Sequence, residues 1–212
     1  MTDSAAHIEK CSIMLAMQDQ MNCHVDQDWL DRKREWYRAI WIECGELMEH
    51  HGWKWWKHQK SDREQALLEL VDIWHFGLSL WITAERDHRA AARHIMAQWR
   101  DAANAGEFLE EVENLARVAL VHQRLDIGAL KALLGLLDCD FDDLYRAYVG
   151  KNVLNVFRQD HGYRSGEYIK VWNGLEDNEV LTEIARELDS DAPNFRDAIY
   201  EALQARYATV VD

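Results

Sequence analysis

Proline is almost absent, one among 212 residues, and glycine is sparse at ten. Both residues break helices, proline through its missing N–H and glycine through its backbone freedom. Their scarcity beside long Ala, Leu, Glu and Arg stretches argues for a mostly helical chain, and the expected fold class is all-α. Sustained alternation of apolar and polar residues is also lacking, as are low-complexity tracts and any fixed-period repeat. Positive charge is in deficit, with 24 Lys and Arg against 38 Asp and Glu and a formal net charge of −14. Such a surface repels a nucleic-acid backbone and an anionic bilayer, so no polymeric nucleic acid and no membrane is expected as a partner. A small anionic substrate remains admissible where cations bridge it. Cys11, Cys23, Cys44 and Cys139 are scattered with no Cys-x-x-Cys, which argues for reduced thiols and a cytoplasmic setting over a disulfide framework or zinc site. The opening MTDSAAHIEK lacks the basic-then-apolar order of a secretory signal. The run from Ala66 to Ala84 is long enough to span a bilayer, yet it contains Glu69, Asp72 and His75, which marks a buried core helix instead.

What is present fits one domain over 1–212, with 48% hydrophobic residues and ten tryptophans. The expected architecture is a multi-helix bundle with a rigid metal-binding core and a smaller mobile helical part. Periodicity predicts helices over about 5–22, 28–51 and 61–84, with Gly52 as a stop and Ser61-Asp-Arg-Glu64 as a capping box. Residues 84–128 are polar and rich in Ala, Glu and Arg, and read as a variable helical insertion. Further helices are expected over about 129–138, 140–161, 178–189 and 193–208, with Gly162 ending one of them.

Two carboxylate pairs carry the chemistry, Glu43-x-x-Glu46 and Glu69-x-x-Asp72. A spacing of three places both members of a pair on one helix face. The second pair lies in ALLELVDIWHFGLSLWI, where nearly every neighbour is apolar. Carboxylates buried in this way repel one another and resist ionisation unless divalent cations neutralise them. All-oxygen ligands favour Mg²⁺, with Mn²⁺ as a substitute, and a pair of such ions suits phosphate chemistry. Asp72-x-x-His75 also fits one half of a di-iron carboxylate motif, but its only counterpart, Glu85-x-x-His88, sits in a polar stretch.

Lys151, Asn155 and Arg158, spaced i, i+4 and i+7, share one helix face, and the glycine-punctuated loop HGYRSGEYIKVWNG is able to return Tyr163 and Lys170 over it. This is a way to build a phosphate clamp; an ordinary solvated basic face is the alternative. WKWWK, residues 53–57, offers flat aromatic surfaces and ammonium groups. Gln18 and Asn22, at i and i+4, are able to read a polar base edge through their amides.

In order along the chain, MQDQMN, WYRAIWIECGELMEHHGWKWWK, ELVDIWHFGLSL and YVGKNVLNVFRQDHGYRSGEYIKVWNGLEDN resemble the dimeric all-α dUTPase family within the all-α nucleoside-triphosphate pyrophosphatases. The resemblance implies that Glu43, Glu46, Glu69 and Asp72 hold two or more Mg²⁺ ions. It implies that a metal-activated water attacks a phosphorus of dUTP to give dUMP and pyrophosphate, with Glu46, beside Glu43, orienting or deprotonating that water. It places Gln18, Asn22, Trp55, His75 and Phe76 at uracil and deoxyribose, and Lys57, Lys151, Asn155, Arg158, Tyr163, Lys170 and Asn178 at the phosphates. It further implies turnover of dUDP and a homodimer. Two other readings compete: a sister pyrophosphatase with another base preference, such as dCTP, and a non-enzymatic helical regulatory protein. A regulatory protein partner is compatible with either enzyme.

Overall fold

The computed structural model describes residues 2–102, 106–189, 192 and 194–211. The chain divides into two compact units, 1–145 and 146–212. Unit 1 contains α1 (Thr2–Val25), α2 (Trp36–His51), α3 (Arg63–Ala84), α4 (His88–Asp101), α5 (Phe108–His122) and α6 (Ile127–Leu136). α7 (Phe141–Asp160) begins there and continues into unit 2, which adds β1 (Val171–Trp172), β2 (Leu175–Glu176), α8 (Asp177–Glu187) and α9 (Phe195–Val211).

α3 is the core of unit 1 because its sequence is apolar nearly all round. Leu70, Val71, Ile73, Trp74 and Leu78 are fully buried, and the helix packs against α1 and α2. Among the described residues it is the one helix long and apolar enough to cross a membrane, and 67% of its most apolar window is buried inside the protein. Its N-cap is Asp62, one residue beyond the expected Ser61: the Asp62 carboxylate accepts from the Gln65 N–H at 3.1 Å. Near the middle of α3, Gly77 admits Leu125, whose Cδ2 occupies the space that a Cβ would need.

The second helix starts at Trp36, eight residues later than the periodicity predicts. Residues 27–33 form turns, Lys33 has φ 49°, and the Asp26 carboxylate accepts from Arg32 Nε and Arg34 Nη2. Trp29 carries the apolar signal that resembles a helix face. It is instead a loop anchor, 2% exposed, packed edge-on to Trp36 and donating its indole N–H to Asp19 at 3.0 Å. At the other end α2 stops at Gly52, whose left-handed φ of 86° lets its N–H reach Met48 O.

The stretch 84–128 holds α4 and α5. α4 packs on α1 and α5 on α2, burying Ala91, Ile95, Val112 and Leu115; residues 103–105 lie outside the described residues. α6 begins at Ile127 because Asp126 caps the Gly128 and Ala129 N–H groups.

Unit 2 is organised by aromatic rings. Phe157, fully buried on α7, meets His161, Trp172, Tyr200 and Tyr207 with centroids between 3.9 and 5.8 Å. β1 and β2 pair antiparallel across Asn173-Gly174, both with positive φ, as a two-residue hairpin turn demands. Strands of two residues are too short to leave an alternating pattern, so the sequence does not announce them. The last helix begins at Phe195; residue 193, the expected start, lies outside the described residues.

Candidate functional site

α2 and α3 lie against one another and bring Glu43, Glu69 and Asp72 together, one carboxylate oxygen from each within 4.8 Å of the others. Glu69 is buried, and Glu43 and Asp72 are partly so. Burial pushes the Glu43 carboxyl up from its ordinary 4.5 to about 8, assisted by the charges of Asp72, Glu46 and Glu69 and by a hydrogen bond with Glu69. Glu43 is therefore largely protonated at neutral pH when no cation is bound. Glu46, one turn further along α2, is exposed and is not one of the three whose oxygens converge. It acts on the cluster through its charge.

The donor set fits a hard divalent cation. It is all oxygen, it sits on two rigid helices, and its mutual repulsion is what a bound 2+ charge relieves. His50, whose Nε2 approaches Glu69 Oε1 at 3.3 Å, belongs to the cluster and is absent from the sequence-based site. Its spacing of seven from Glu43 and four from Glu46 is the signal that points to it.

One turn beyond Asp72 on α3 begins a buried polar network. His75 Nδ1 meets Gln18 Oε1 at 2.6 Å, Gln18 Nε2 donates to Asn22 Oδ1 at 3.0 Å, and Asn22 Nδ2 donates to Ser79 Oγ at 2.9 Å. Ser79 Oγ in turn donates to the His75 carbonyl at 3.1 Å. An amide oxygen only accepts, so with this amide orientation Nδ1 of His75 carries a proton and donates to Gln18. Three of these side chains, Gln18, Asn22 and His75, are ones singled out in the sequence, drawn from helices 57 residues apart. Phe76, next on α3, stacks with Trp36 at 6.2 Å and 24°. The sequence gives no sign of Trp36 as its neighbour. Trp55 stands 90% exposed on the loop after α2, edge-on to Trp56, and Lys57 is exposed on the same loop.

In unit 2, Lys151, Asn155 and Arg158 do share a face of α7. Arg158 Nη1 donates to Asn155 Oδ1 at 3.2 Å, Lys151 Nζ donates to Asn178 Oδ1 at 3.3 Å, and the Tyr163 ring lies 5.7 Å from the guanidinium. Lys170 is exposed and pairs with Glu176 at 3.1 Å. A residue that draws no notice in the sequence, Asp177, is fully buried and accepts from both Nε and Nη2 of Arg158 at 2.8 Å. Nineteen residues separate the two, and no local pattern links them.

A search of curated proteins finds no match. A family model described as dUTPase matches residues 10–163, which takes in the carboxylate cluster, the amide network and all of α7. As that match spans well over half of the 212 residues, the chain belongs to the all-α dUTPase family, an assignment that carries dUTP diphosphatase activity.

Proposed function

We propose that this protein hydrolyses dUTP, and also dUDP, to dUMP at a Mg²⁺ site held by Glu43, Glu46, Glu69 and Asp72. The observation that carries this reading is the convergence of Glu43, Glu69 and Asp72 oxygens within 4.8 Å, two of them on the same helix that supplies His75. When bound, Mg²⁺ supplies the positive charge that holds a phosphate chain and lowers the pKa of an attacking water. The protein's own part is to deliver ionised carboxylates in fixed positions. Glu43 gives up its proton as the site fills, and exposed Glu46 accepts a proton from the attacking water.

Base selection is assigned to the buried network of Gln18, Asn22 and His75, whose amides and imidazole hold donors and acceptors at fixed positions for the polar edge of uracil. Phe76, stacked with Trp36, offers the apolar surface that a deoxyribose tolerates and a 2′-hydroxyl does not. Trp55 and Lys57 are assigned to the base and phosphate sides of the substrate, and Lys151, Asn155, Arg158, Tyr163, Lys170 and Asn178 to its phosphates. A homodimer is also inferred: Trp41 and Ile42, adjacent to Glu43, are 43% and 48% exposed, apolar surface that a second copy would cover.

Release of pyrophosphate from dUTP, dCTP, dTTP and UTP, and of phosphate from dUDP, tests the reading with Mg²⁺ and with EDTA. Metal-dependent turnover confined to the two deoxyuridine nucleotides is expected. Turnover led by dCTP would refute the base assignment, and turnover that persists in EDTA would refute the metal assignment.

A further inference from the structure

The family match ends at residue 163, and Asp177, a fully buried carboxylate of unit 2, lies beyond it. Asp177 is the first residue of α8, and its backbone N–H donates to Lys170 O at 3.0 Å. Oδ1 accepts from Arg158 Nη2, while Oδ2 accepts from Arg158 Nε and from the Tyr168 hydroxyl, each at 2.8 Å. Its neighbour Asn178 accepts through Oδ1 from Lys151 at 3.3 Å and from Arg158 Nη2 at 3.4 Å. The start of α8 thus engages the two cations that stand two turns apart on α7.

The mode of contact matters. Asp177 takes the Nε and Nη2 edge of Arg158, a two-point grip that fixes the guanidinium plane as well as its position. The Nη1 edge, which meets Asn155 Oδ1, points away from that grip. An arginine on a flexible stem has many rotamers to lose when it meets a phosphate, and one already clamped has few. Asp177 takes the Nε N–H and one Nη2 N–H, so the donors left for a phosphate oxygen are those of Nη1, beside Asn155, and the second Nη2 N–H, beside Asn178.

From this geometry we propose that Asp177 is a positioning residue: by clamping the Nε and Nη2 edge of Arg158, and with it the Tyr168 hydroxyl, it presents the Nη1 edge, beside Asn155, to a phosphate of the substrate. The proposal rests on the assignment of unit 2 residues to phosphate binding given above.

The test measures affinity for a non-hydrolysable dUTP analogue and for deoxyuridine, which has no phosphate, in the Mg²⁺-loaded protein. Wild type, Asp177→Asn, Arg158→Ala and the double variant are compared. Asp177→Asn is expected to weaken analogue binding by about tenfold or more while deoxyuridine affinity stays within about twofold. The double variant is expected to bind no more weakly than Arg158→Ala, because Asp177 acts through Arg158. Analogue affinity unchanged in Asp177→Asn, an equal loss for deoxyuridine, or losses that multiply in the double variant would each overturn the proposal. Should Asp177→Asn fail to fold by circular dichroism, Tyr168→Phe decides: it removes one of the bonds to the carboxylate, and an analogue affinity lowered about threefold supports the clamp while an unchanged one overturns it. Turnover of dUTP by the wild type is recorded separately. Analogue binding without turnover would sink the hydrolase reading and leave the positioning role standing.

Discussion

In unit 1, three carboxylates of α2 and α3 bring oxygens within 4.8 Å of one another, whereas in unit 2 the buried Asp177 carboxylate meets the Arg158 guanidinium at 2.8 Å. The first arrangement sets like charge against like and drives the Glu43 carboxyl up to about 8. The second sets opposite charges edge to edge and adds a Tyr168 hydroxyl, which burial and the bond to Asp177 hold in its protonated, donating form. The contrast separates carboxylates whose mutual repulsion a bound cation would relieve from a carboxylate that fixes a cationic side chain.

Neutralising one carboxylate in each cluster breaks the comparison most sharply. Glu43→Gln is expected to lower dUTP turnover by about two orders of magnitude or more, since a ligand to the cation is lost. The same change is expected to raise the melting temperature of the metal-free protein at pH 9, where it removes a carboxylate that the fold disfavours. Asp177→Asn is expected to do the reverse, destabilising unit 2 by about 3 kcal/mol because it leaves a buried guanidinium without its counter-charge. Melting curves of the two variants in EDTA check this. Shifts of the same sign would erase the distinction.

Next in size is the pH dependence of the metal-free protein. Glu43 has a folded pKa of about 8 against an ordinary 4.5, so between those values the folded state binds more protons than the unfolded one. Its contribution to stability is whole below about pH 4.5 and is lost as pH rises through 8. Saturating Mg²⁺ is expected to flatten that decline, because it binds the ionised form. Melting temperatures across this range with and without Mg²⁺ measure it.

Smaller effects probe the frame that holds the first cluster. Gly77→Ala would drive a Cβ into Leu125 Cδ2, and an overpacking cost of about 1–3 kcal/mol is expected by urea denaturation. Asp62→Ala is expected to cost about 1 kcal/mol and Ser61→Ala far less, since Asp62 is the residue that caps α3.

Much of unit 1 is legible in the sequence because its information is local. Glu69 and Asp72 stand out against an apolar helix, and the spacing of three predicts their shared face. The i, i+4, i+7 spacing of Lys151, Asn155 and Arg158 predicts theirs in the same way. What stays hidden depends on distant partners or on single residues. Trp29 reads as a helix face until its indole is seen to reach Asp19 and hold a loop. The Asp62 cap differs from the expected one by a single residue, a difference that periodicity cannot resolve. Asp177 draws no notice in the sequence, because its partner Arg158 lies 19 residues away, across the β1–β2 hairpin. The bond between His75 and Gln18 is likewise invisible in the sequence, because its two ends come from different helices.

The most direct test of the central claim, that the α2–α3 carboxylates form a divalent-cation site, is the number of protons released on Mg²⁺ binding. It is measured at pH 7 by calorimetry in buffers of differing ionisation enthalpy. With Glu43 at about 8, close to one proton should leave per chain on binding at pH 7, and almost none above pH 9. Failure to bind Mg²⁺, or binding with no proton released at either pH, would contradict the account.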